Sequence, residues 1–364
     1  CIRDSSYTKT YMAGNQALGR NLDANAMRNH FYRFPGVDND KDKTLSAMLR
    51  MAVIAQTQER YEKAPTETDE QRAEKAALEG LVKQLFVELK RDFKPSDLPP
   101  YTLVKLGVHL ANTSQPEESI AYFDEILDPS EPDPVRKKAR INGMSKYRKN
   151  AVFGKAVALG RSKDNAKVET AIKMMKDELS KEESSANPDR KAMEDAQYNL
   201  VKFTSARQDW PSVIAAADKY RENKSYKKNL PEVLYLQGEA YLKQNELDKA
   251  LINFMNITGT YKGLVKWSAP AVLAQMDTLW KRNTMSQGAG KQPSDRYIAW
   301  KAGSQYVQLL DTPANRKKMT AEDSALVNEV KDKTAKFGSD PAVSQERADI
   351  AAYEAAIRAA KGQK

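Results

Sequence analysis

Residues 231–264 read PEVLYLQGEAYLKQNELDKALINFMNITGTYKGL, and their small and apolar residues fall where a helix-turn-helix repeat of about 34 residues requires them. Counted from Pro231, Gly238 stands eighth, Tyr241 eleventh, Ala250 twentieth and Phe254 twenty-fourth. Gly238 and Ala250 are small enough to let two antiparallel helices approach closely. Tyr241 and Phe254 are large enough to fill the wedge between one repeat and the next. Asn245-Glu246 supplies the turn between the helices.

Weaker copies flank this one. In 100–133, Leu103, Leu106, Gly107, Phe123 and Ile126 hold the apolar and small positions, with Gln115-Pro116 at the turn. Residues 136–188 keep Phe153-Gly154, Ala171 and Met175, but the stretch is too long for one repeat and predicts an insertion between its halves. In 194–227, Tyr198, Val201, Val213, Ala217 and Tyr220 are in register, and Asp209-Trp210-Pro211 opens the second helix, where proline suits the first turn. Residues 265–310 read as a fifth unit: a helix over 265–283 with Trp267, Val272, Leu273, Met276 and Trp280, a glycine- and proline-bearing connector at 286–294, and a helix over 295–310.

The array therefore spans 95–312, beginning at the proline cluster of 94–100, which no helix continues through. Residues 1–94 form an N-terminal helical region with helices expected at 7–32, 44–63 and 67–91. The last two present matching faces, Leu45, Met48, Leu49, Ala52 and Ala55 against Leu78, Leu81, Val82, Leu85, Phe86 and Leu89. Residues 313–364, alanine- and charge-rich, read as helices at 320–337 and 341–360 that cap the array and fade into a tail. No stretch alternates with the period of a strand.

On these residues the chain resembles the tetratricopeptide-repeat (TPR) superfamily, most closely at 231–264. The resemblance implies an all-α fold, an α-α superhelix of antiparallel helix pairs, that binds a protein or peptide without doing chemistry. The tyrosine-rich repeat followed by Trp267-Ser268-Ala269-Pro270 is also similar to bacterial TPR proteins associated with the cell envelope, which implies a periplasmic or envelope location, with cytoplasm as the alternative. In this superfamily the first helix of each repeat lines a concave groove, through its second, fifth, ninth and twelfth positions. Those positions are Glu232, Tyr235, Glu239 and Leu242 in the best copy. They are Asp195, Tyr198, Lys202 and Ser205 in the preceding one, and Arg148, Val152, Lys155 and Ala158 in the long one. Tyr198 and Tyr235 offer flat contact area, and Arg148, Lys155 and Lys202 offer charge-assisted hydrogen bonds. Glu239 stands where members that clamp a peptide's terminal carboxylate place a cation or an amide, so the chain departs from that clamp.

Composition narrows the function. Of 364 residues, 40% are hydrophobic and 30% charged, and Lys plus Arg exceed Asp plus Glu by 59 to 49, for a net charge of +10. That excess raises nucleic acid or an anionic surface as a partner, but the basic residues are scattered among acids, as in 173–183, and no nucleic-acid motif accompanies them. Charges interrupt every apolar stretch, so no transmembrane segment is expected. The single cysteine, Cys1, has three readings. It is a lipidated terminus that would anchor the chain to a membrane, a thiol of no consequence, or part of a Cys-Ile-Arg-Asp adaptor translation left by shotgun sequencing at residues 1–4.

The inventory of reactive side chains is thin. With His30, His109 and no cysteine pair, the common zinc sites lack ligands and a nucleophile-histidine-acid triad has few candidates. His109 lies in the apolar run 106–111 and reads as a packed side chain, and His30 reads as solvated. Asp38-Asn39-Asp40-Lys41-Asp42 imitates the start of a calcium loop, yet Lys43 replaces the sixth-position glycine and Leu49 the twelfth-position glutamate. Gly288-Ala289-Gly290-Lys291 imitates a phosphate loop, but Gln292 follows where Ser or Thr is required and no strand precedes it. The expectation is a non-enzymatic scaffold without metal or cofactor, holding a protein partner through Arg148, Lys155, Tyr198, Lys202, Tyr235 and Glu239. An outer-membrane or cell-wall assembly lipoprotein and a helical cell-wall-processing enzyme stay open as alternatives.

Overall fold

The computed structural model describes residues 43–66, 68–113, 115–288, 292–316 and 319–362. The helix expected at 7–32, Cys1, His30, the calcium-like run at 38–42 and Gly290-Lys291 of the phosphate-like loop lie outside them. Among the described residues every regular element is helical, and most helices pack chiefly on helices one or two places away in sequence, as in an α-α superhelix. Contacts divide the chain into two compact units, one ending at Met174 and the other beginning at Met175.

In the first unit, α1 (Lys43–Lys63) and α2 (Asp69–Asp92) form a hairpin. Thr68 starts α2 because its hydroxyl accepts the Gln71 amide at 3.2 Å while the Gln71 side chain accepts the Thr68 amide at 3.1 Å. From the buried stripe of α2, Val82, Phe86 and Leu89 share one core with Ala47, Met51 and Ile54 of α1. After a short 3-10 turn, Pro95–Asp97, the next pair is α3 (Pro100–Asn112) and α4 (Pro116–Leu127), and each opens on a proline. His109 stacks on Phe86 with ring centroids 4.0 Å apart, and burial, followed by the charge of Lys83, lowers its pKa.

The long copy differs from its expected form. Its halves are α6 (Arg148–Gly160) and α7 (Asn165–Glu183), joined only by residues 161–164. No insertion separates them. The excess length lies ahead of them, in α5 (Pro134–Met144) and the 3-10 turn Ser145–Tyr147, and in α7 itself. A helix in front of a repeat leaves the repeat's turn untouched, so residue counting alone does not place the excess.

The second unit contains α8 (Arg190–Ala206), α9 (Trp210–Glu222), α10 (Leu230–Lys243), α11 (Leu247–Thr260), α12 (Val265–Arg282), α13 (Asp295–Leu310), the short α14 (Pro313–Arg316), α15 (Ala321–Gly338) and α16 (Pro341–Gly362). The turns after α8 and α10 share one geometry. Gln208 and Asn245 adopt left-handed φ angles of 58° and 61°, and the amides of Asp209 and Glu246 reach back to the carbonyls of Thr204 and Tyr241. Gly238 meets the expectation for a small residue: a Cβ there would lie 2.6 Å from the ring of Phe254, which is fully buried. The first unit repeats the device. The ring of Phe123 would lie 2.8 Å from a Cβ at Gly107 and 2.3 Å from one at Gly154, so one aromatic side chain joins two successive first helices.

Candidate functional site

The six candidate residues fall in both units. Arg148 is exposed at the start of α6, and Lys155, one to two turns on, pairs with Asp124 of α4 at 2.6 Å. Both belong to the first unit, and Lys155 already has an internal counter-ion.

The other four lie on α8 and α10 of the second unit, where the structure brings them together. Tyr198 donates its hydroxyl to Glu232 at 2.6 Å across the two helices. Lys202, one turn beyond Tyr198, lies over the tyrosine ring and pairs with the same carboxylate at 3.5 Å. One turn along α10, Tyr235 is near enough to act on the Glu239 carboxylate, and its ring packs at 6.4 Å from that of Trp267 on α12 and 5.9 Å from Phe254. These contacts place the half-exposed faces of α8, α10 and α12 side by side as the floor of one surface. On α15, Glu329 is near enough to act on the Tyr235 phenol through its charge. Between α12 and α15 the surface deepens into a cleft of about 790 Å³ bordered by Asp277, Trp280, Glu329 and Lys333.

The electrostatics of this surface follow from partial burial. Burial is the chief cause that lifts the Glu239 carboxyl above its usual range, opposed by the neighbouring Tyr235 phenol and by Lys243. Tyr235 is pushed well above the ordinary phenol value, first by burial, then by the neighbouring Glu239 carboxylate, then by Glu329. Asp195 on α8 is likewise raised by burial, which outweighs Lys191 and Lys228. Two of the cations are already paired, Lys202 with Glu232 and Lys333 with Asp277 at 2.5 Å, while Lys266 lies over the Trp267 ring and Lys243 and Lys336 are exposed.

Two members of the surface escaped the repeat arithmetic. Counting from Val265 puts Lys266, Ala269, Leu273 and Met276 at groove positions, yet Ala269 and Met276 are fully buried and only Lys266 and Leu273 are open. The helix is rotated relative to that count, so that Trp267, Pro270, Ala274 and Asp277 share its open side with Lys266 and Leu273. The signal was present in the periodicity: Val265, Ser268, Ala269, Val272, Met276 and Leu279 mark the inner face and leave 267, 270, 274 and 277 opposite. Glu329 had no such signal, because α15 carries no recognisable repeat.

Among the described residues no helix is long and apolar enough to cross a membrane. No family model matches the chain, and no curated protein is significantly similar to it.

Proposed function

We propose that the chain is a non-enzymatic scaffold of TPR type that holds a segment of a protein partner on the surface formed by α8, α10 and α12. The observation that carries this reading is the juxtaposition of Tyr198, Tyr235 and Trp267 on three successive first helices. Together they make a half-buried aromatic floor edged by polar groups. Rigid aromatic rings supply contact area at little entropic cost and dominate binding hot spots. The charged groups around them are set by intramolecular bonds, which pre-organises the surface. An envelope location belongs to the same reading, supported by the resemblance of the 231–270 region to envelope-associated bacterial proteins, and cell fractionation tests it.

The test of the groove is capture of partners from the source cells followed by affinity measurement on the purified pair. Tyr198→Ala combined with Tyr235→Ala is expected to weaken binding by about tenfold or more, which corresponds to roughly 1.4 kcal/mol. A pair of variants that keeps its helical content and binds every partner with unchanged affinity sinks the groove assignment.

A further inference from the structure

We infer that the segment held on this surface presents an Arg or Lys side chain to the site formed by Tyr235, Glu239 and Trp267. The inference rests on the reading of the surface as a peptide-binding groove and names the chemistry of its occupant. Glu239 is half-buried, and among the described residues no cation forms an ion pair with it; the neutral phenol of Tyr235 is its neighbour one turn back, and Lys243, exposed one turn on, acts on it through charge alone. A carboxylate removed from water without a paired cation is costly, and an incoming ammonium or guanidinium offsets that cost while gaining charge-assisted hydrogen bonds.

Three further features favour a cation. The rings of Tyr235 and Trp267 lie 6.4 Å apart, and aromatic faces attract cations, as the chain's own Lys266 illustrates 5.3 Å over the Trp267 ring. Glu329, across the surface on α15, adds a second negative charge, and two of the nearby cations, Lys202 and Lys333, are already paired with Glu232 and Asp277. Leu242, half-exposed on α10 at the next groove position, offers an apolar rest for the long stem of Arg or Lys. An acidic segment or a free terminal carboxylate would instead meet Glu239 and Glu329 as like charges.

The sign of this site opposes that of the whole molecule, which makes the inference sharply testable. A chain of net charge +10 attracts acidic peptides through its long-range field, so selection of basic ones needs a local cause. Random-sequence displayed peptides would be selected on the full chain, on Glu239→Gln, on Glu239→Lys and on Tyr235→Ala, with circular dichroism and melting confirming that each variant is folded. The expected result is enrichment of Arg and Lys on the wild-type chain. That enrichment should fall about tenfold on Glu239→Gln and shift toward Asp and Glu on Glu239→Lys. Enriched peptides that need Tyr235 but carry no cation, or that bind Glu239→Lys equally well, overturn this inference and leave the groove reading standing. Peptides indifferent to Tyr235, or no enrichment at all, bring down the groove reading and the inference with it.

Discussion

Gly238 and Gly154 are small for the same physical reason: each lies under an aromatic ring that has nowhere to go. Phe254 and Phe123 are fully buried, so a methyl group at 2.6 Å or 2.3 Å forces overpacking. Gly238→Ala is expected to destabilise the chain by about 1–3 kcal/mol, with Gly154→Ala at the upper end. Gly80, on α2, has nothing within 4 Å of its missing Cβ, and Gly80→Ala is expected to stabilise by about 0.4–1 kcal/mol through helix propensity and the unfolded chain. Thermal melting of the three variants checks the contrast; a destabilising Gly80→Ala beside a silent Gly238→Ala would refute it. Gly238 and Phe254 were legible in sequence because both belong to one repeat. The contact of Phe123 with Gly154 was not, since it crosses from one repeat to the next and no local spacing encodes it.

At the scale of helices, the joint between α12 and α13 depends on one buried carboxylate. Asp295 is fully buried. It accepts two bonds from Arg282, at 2.9 and 2.6 Å, and one from the Thr284 amide at 2.8 Å, while Arg282 also reaches Asp248 on α11 at 2.5 Å. Burial by itself would raise the Asp295 pKa, but Arg282 and Thr284 more than reverse it and hold the group below its usual value. A depressed folded pKa means that this contribution is complete above about pH 4 and is lost as pH falls through the lower, folded value. Asp295→Asn is therefore expected to cost about 2 kcal/mol at neutral pH and to flatten the loss of stability below about pH 4. The figure sits below that for breaking a fully buried pair because Arg282 is 29% exposed and rehydrates. Denaturant melts of both proteins from neutral pH downward measure it, and parallel curves would contradict it. Sequence marked the connector only by its turn residues, which say that the helix stops but not which side chain closes the gap.

The whole molecule extends the same logic, since most helices pack chiefly on helices one or two places away in sequence, which gives stability its local character. Phe123→Ala is expected to lower hydrogen-exchange protection mainly in peptides from 100–160, and Phe254→Ala mainly in those from 230–282. A uniform loss across the chain in either variant would show a single cooperative unit instead. The sequence alone determined the all-α class, the helix pairs around 231–264 and the aromatic and charged character of Tyr198, Lys202, Tyr235 and Glu239, because helical periodicity and the spacing of small residues are local properties. Only the tertiary structure decided that Lys155 and Lys202 are paired internally, that Trp267 and Glu329 join the surface, and that Glu239 is left there without a paired cation. Those outcomes depend on how each helix is rotated against residues far away in sequence, and rotation is set by packing that no single repeat contains.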